Sequence, residues 1–143
     1  MPSSAYNKFH DFAEQVLKAK HDFSSHTFKL ALTNTAPLAS NTVLADIAEI
    51  AATGGYAAGG YVLDTVIVTE AGGSAKVTVA DETITAAGGS IGPFRYAILY
   101  NDSTTAPLKA LVAYYDYGSS ITLGDGESID VDLDAVNGIF GLG

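Results

Sequence analysis

From Thr27 onward the chain alternates short runs of β-branched, aromatic and aliphatic residues with clusters of turn residues. This punctuation limits the fold more than any other feature. Apolar-rich runs of about four to eight residues bounded by turn residues fit strands and are too short for helices. Such runs span Thr27–Thr33, Tyr61–Thr69, Ala75–Ala80, Thr83–Ala86, Phe94–Tyr100, Leu108–Tyr115, Ile121–Leu123, Ser128–Leu133 and Ile139–Leu142. Between the later ones stand Gly72-Gly73, Asp81-Glu82, Gly88-Gly89, the stretch from Asn101 to Pro107, Gly118 to Ser120, Gly124-Asp125-Gly126 and Asn137-Gly138. In the first run Phe28, Leu30 and Leu32 face one side, with Lys29 and Ala31 on the other, the pattern of a half-buried strand. The expected fold is mostly β: an antiparallel β-sandwich or jelly-roll-like domain with an N-terminal α-helix.

A chain of 143 residues is expected to form one domain, residues 1–143, with a helical arm at 1–20 and the sandwich at 27–143. Ala5, Phe9, Phe12 and Val16 follow helical spacing, and Ser3 or Ser4 can cap the first turn. Two Phe on one helical face must dock, either on the chain's own sheet or on a neighbouring subunit. Asn34 to Asn41, with Pro37, reads as a loop, and Thr42 can cap a short helix over Val43–Ala51. Gly54-Gly55-Tyr56-Ala57-Ala58-Gly59-Gly60-Tyr61 reads as a flexible or extended loop, or an arm.

Charge narrows the possible partners. Asp, Glu, Lys and Arg make up 16% of the residues, against roughly 25% in typical soluble domains. A surface so poor in charge suits burial in an assembly. The net charge of −9 leaves no basic footprint for nucleic acid and disfavours an anionic membrane surface. There is no Cys, so disulfides, Cys-based zinc sites and thiol catalysis are excluded. No basic-then-apolar leader and no long apolar span stands out, and synthesis in a cytoplasm is expected.

Catalytic vocabulary is sparse. The glycine pairs lack the Lys-Ser/Thr and the following helix of a phosphate loop. The three histidines, His10, His21 and His26, make no His-x-x-x-His pair, and no Gly-x-Ser-x-Gly elbow occurs. Asp130, Asp132 and Asp134 alternate along one strand face. Their spacing resembles the start of a calcium loop, but Ala135 and Gly141 stand where Gly and Glu are needed. A solvated strand face is the simpler reading, so no metal, cofactor or catalytic residue is assigned. Tyr96, Tyr100, Tyr114, Tyr115 and Tyr117 cluster in two adjacent strands, which suits cross-strand packing or an interface.

Several segments resemble a family of small virion proteins from tailed bacteriophages. They are Tyr6-Asn7-Lys8-Phe9, the stretch from Leu30 to Pro37, the stretch from Gly88 to Tyr96, Leu99-Tyr100-Asn101, and the stretch from Tyr115 to Leu123. These motifs are structural rather than catalytic. The resemblance implies a virion component, and within that class a capsid decoration, or cement, protein on the head surface. The partners it implies are the major capsid protein and further copies of the chain, as a trimer or another symmetric assembly. Alternatives are a tail component (tube, adaptor or fibre-associated subunit) and a receptor- or glycan-binding β-module. An enzyme is the least favoured class. The expected contact residues are Phe9 and Phe12 on the helix, Tyr56 and Tyr61 in the glycine-rich loop, and Tyr114, Tyr115 and Tyr117.

Overall fold

The computed structural model describes residues 6–142. The chain is mostly β, with one helix near its start. In order it forms β1 (Asn7–Lys8), α1 (His10–Leu17), β2 (Phe28–Thr33), β3 (Tyr61–Val62), β4 (Ile67–Ala71), β5 (Ser74–Thr78), β6 (Glu82–Thr85), β7 (Ile91–Asn101), β8 (Leu111–Leu123), β9 (Ser128–Val131) and β10 (Phe140–Leu142). Every strand pairing is antiparallel. A five-stranded sheet has the order β1-β8-β7-β2-β3, a three-stranded sheet β10-β5-β4, and a third sheet pairs β6 with β9. The arrangement is sandwich-like.

Both faces of the five-stranded sheet are apolar. On one face Phe28, Leu30, Leu32, Ala97, Leu99 and Tyr115 pack with Val77, Val79, Ile84, Val131 and Ile139 of the smaller sheets and their loops. Each large side chain buried this way contributes about 1.5–3 kcal/mol. On the other face Ala31, Ile98, Tyr100 and Leu111 pack with Phe9, and Leu44 and Ile47 lie over them. The segment around Leu44 and Ile47 therefore acts as a cover.

The expected helix is shorter than the spacing suggested. α1 begins at His10, after Phe9 in extended conformation (φ −71°, ψ 144°). The preceding residues pair with β8, Asn7 with Tyr114 and Lys8 with Ala113. Ser3, Ser4 and Ala5 lie outside the described residues. The helix docks on its own sheet: Phe12 meets Phe23 and Phe140 edge-on at 6.1 and 5.0 Å. It ends in a Schellman arrangement, Lys20 N–H to Gln15 C=O at 2.9 Å and Ala19 N–H to Val16 C=O at 3.0 Å, with Ala19 at φ +58°.

Other expectations need correction. The run Tyr61–Thr69 is two strands in two sheets, because the chain crosses between layers past Thr65 at φ +54°. The runs Leu108–Tyr115 and Ile121–Leu123 are one strand, β8, and Gly118 to Ser120 lie inside it. Val43–Ala51 is not a helix beyond one 3-10 turn at Leu44–Asp46. Past that turn the Thr33 hydroxyl donates to Ala48 C=O at 2.5 Å and Glu49 bridges to Thr33, which draws the backbone out straight.

The glycine-rich stretch is fastened down and is not a free arm. The Tyr56 hydroxyl donates to the Glu49 carboxylate and accepts the buried Leu32 N–H at 3.0 Å. The Gly59 N–H donates to the same Glu49 oxygen at 2.7 Å, and the Tyr100 hydroxyl donates to Gly59 C=O at 2.5 Å. Gly60, at φ +84°, passes so close to Leu30 C=O that any Cβ would overlap it.

Candidate interaction surface

A concavity lies where α1 meets the three-stranded sheet. Within that sheet Val68, Val77 and Phe140 stand opposite one another across β4, β5 and β10. Residues directly opposite share a face. Val77 is buried in the core, Phe140 is half-buried against it, and Val68 is 47% exposed. The row thus runs from the core out into solvent. Leu142, two residues past Phe140 and on the same face, is 63% exposed. This overhang and the end of α1 enclose a groove of roughly 540 Å³, with Val16, Ala19 and Phe23 on the opposite wall. Phe23 is held there by stacking on Phe28, with ring centroids 4.5 Å apart and planes 4° from parallel.

The rim carries few charges. The Asp22 carboxylate accepts the hydroxyls of Ser24 and Ser25, each at 2.6 Å, and the Ser24 N–H at 3.0 Å. Those bonds bring its pKa down to about 2, so it is an anion at any physiological pH. Lys76 Nζ is engaged with Val136 C=O at 2.7 Å. The imidazole of His21 closes one side, and burial, with the nearby His26 second, lowers its pKa to about 4. An apolar floor with a fixed anion and a neutral ring suits the docking of apolar side chains.

The expected contact residues fall elsewhere. Phe9, Phe12, Tyr56 and Tyr115 are at most 3% exposed and lie inside the chain's own core, so they offer no side-chain surface. The physical reason differs between them. Phe9 and Phe12 seal the two faces of the five-stranded sheet, Tyr56 caps the open edge of β2, and Tyr115 points inward from β8. Tyr61 is partly buried against the core, with its ring 5.6 Å from Tyr56. Tyr114 is half-buried between Phe9 and Tyr96, at 5.3 and 6.4 Å, and Tyr117 is half-buried. None of these seven side chains lines the groove.

The three alternating aspartates do not share a strand face. β9 ends at Val131, and Asp134 sits at φ +51° in the turn that follows. Asp130 accepts the Thr83 hydroxyl at 2.7 Å, Asp132 accepts Asp134 N–H at 2.9 Å, and Asp134 accepts Asn137 N–H at 2.9 Å. Among the described residues no group of three or more His, Asp or Glu side chains is placed to hold a metal ion. No helix among them is long and apolar enough to cross a membrane.

Sequence reasoning passed over Val68 and Leu142. The available signal was Ile67-Val68, two adjacent large aliphatics that a strand must send to opposite faces. Only one face of such a strand can be core when its sheet has one covered side. No family model, curated protein or solved structure matches this chain.

Proposed function

We propose that the chain is a bacteriophage virion structural protein, and within that class a capsid decoration (cement) protein that binds the outside of the head and stabilises it. Its partners are then the major capsid protein and further copies of itself, and its role is binding without catalysis. The apolar overhang carries this reading. Val68 and Leu142 stay exposed beside a groove while the charged fraction of the chain is only 16%. Exposed apolar surface of this kind is the usual mark of a contact surface. The resemblance of the segments around Leu30, Gly88 and Tyr115 to small phage virion proteins supplies the biological setting. A net charge of −9 suits an outer surface that must not adhere to packaged DNA. Repetition around a symmetric shell multiplies each weak contact through high effective concentration.

Adding the purified protein to bare heads tests this reading. Heads that bind it should melt at a higher temperature. Val68→Glu and Leu142→Glu should abolish binding while the isolated protein unfolds as before. Full decoration by both variants would remove the groove from the contact, and no gain in head stability with the unaltered protein would remove the cement role.

One observation favours the tail-component reading. β4 is an edge strand, and all five of its residues are exposed. Open edges of this kind support strand addition between copies. A tube subunit would form rings or filaments at rising concentration, whereas a cement protein stays small until it meets a shell.

A further inference from the structure

We propose that His21 and His26, bridged by Asn101, form an acid-released latch that fastens the segment between α1 and β2 to the end of the five-stranded sheet. Asn101 is the last residue of β7 and is fully buried. Its Oδ1 accepts the Ser103 N–H at 2.9 Å, which fixes the orientation of the amide. Nδ2 therefore faces the two rings, 3.1 Å from His21 Nδ1 and 2.9 Å from His26 Nδ1.

An amide nitrogen only donates, so both Nδ1 atoms must present lone pairs. Each ring then carries its proton on Nε2. His26 Nδ1 meets a second donor, the Asp22 N–H at 3.2 Å. An imidazolium has N–H on both nitrogens. A proton gained by either ring at Nδ1 sets donor against donor, and the bridge opens. Protonation of His26 opens two contacts at once.

The surroundings of His21 offer an imidazolium little help. His21 sits among the rings of Phe12, Phe23 and Phe28, with centroids 5.1, 6.1 and 6.3 Å away. From α1 the Asp11 carboxylate attracts a proton to His21, but that carboxylate already accepts both hydrogen bonds of Gln15 Nε2, at 3.1 and 3.2 Å. Asp22 faces His26 and is held by Ser24 and Ser25. Lys20 shares a shallow depression with His26 beside Ser103 to Ala106. On the strand side Asp102 stands between Lys29 and Lys109, at 3.9 and 3.7 Å. The latched segment carries Phe23, so release frees one wall of the groove. The latch is independent of any virion role.

The ring tautomers and the segment's amide exchange, followed by NMR on the intact protein, test this. At about pH 8 both rings should show a bare Nδ1 and a protonated Nε2. Between about pH 8 and about pH 5, amides 20–27 should lose about tenfold in protection after correction for intrinsic exchange, while those at the centre of β7 hold theirs. His26→Gln keeps an acceptor that does not titrate, and His21→Phe suits its aromatic neighbours. The double variant should show a flat profile. A proton on either Nδ1 at about pH 8 would overturn the latch even if the variants failed to fold. So would an unaltered acid response in the double variant.

Discussion

Phe9 and Phe12 lie on opposite faces of the five-stranded sheet. Phe9 packs on Tyr114, with centroids 5.3 Å apart, while Phe12 packs on Phe140 at 5.0 Å. Between them the chain leaves β1 and turns into α1, so it wraps the sheet edge like a clip. Each side chain is fully buried in the isolated chain. Phe12→Ala and Phe9→Ala should each cost about 3–5 kcal/mol. Urea unfolding of the purified protein measures this with no partner present. An unchanged midpoint for Phe12→Ala would mean the helix does not dock on its own sheet.

Two buried tyrosine hydroxyls should respond in opposite ways. Tyr56→Phe leaves the buried Leu32 N–H without its acceptor and takes from Glu49 one of its two donors, the Gly59 N–H remaining, at a cost of about 1–3 kcal/mol. The Tyr115 hydroxyl is buried with no hydrogen-bond partner among the described residues. Tyr115→Phe should therefore be neutral or stabilising by up to about 1 kcal/mol. Paired denaturation curves decide the matter. Equal losses in both variants would contradict the assignment.

Backbone conformation gives a second opposed pair. Ala19 ends α1 at φ +58°, where glycine is the favoured residue. Ala19→Gly should stabilise by about 1 kcal/mol. Gly60→Ala should destabilise by more than about 2 kcal/mol, because φ is +84° and Leu30 C=O occupies the place of the new methyl. Thermal melts of the two variants should move apart.

Stability should fall in mild acid. His21 titrates near 6.5 in an unfolded chain and near 4 here, mainly through burial and secondly through His26. Between those values the unfolded chain binds more protons, so stability rises with pH. The contribution is complete above about pH 6.5 and is lost as pH falls toward 4. Asp22, with its pKa lowered to about 2 by Ser24 and Ser25, adds a further loss below its ordinary 3.8. Urea midpoints measured across that range should decline for the natural chain and decline less for His21→Phe.

The sequence reveals strands where side-chain period and turn chemistry agree. Gly72-Gly73 joins β4 to β5 with both residues at positive φ, and Ala71 pairs with Ser74 across it. Gly118 carries the same glycine sign, yet it bends one continuous strand at φ +100°. The bulge at Gly118 and the turn at Gly72-Gly73 both use positive φ, and only pairing to β7 separates them. Helical spacing misleads at Phe9, since three residues also suffice to cross a sheet edge. The groove is least legible. Val68 looks like any core valine until its sheet proves to overhang the core.

Separating virions into heads and tails, and probing each fraction for this chain, tests the proposed role most directly. The expected result is presence in heads, at a copy number comparable with the major shell protein. Presence only in tails would contradict the decoration role and favour the tail component, and absence from both would contradict a virion role altogether.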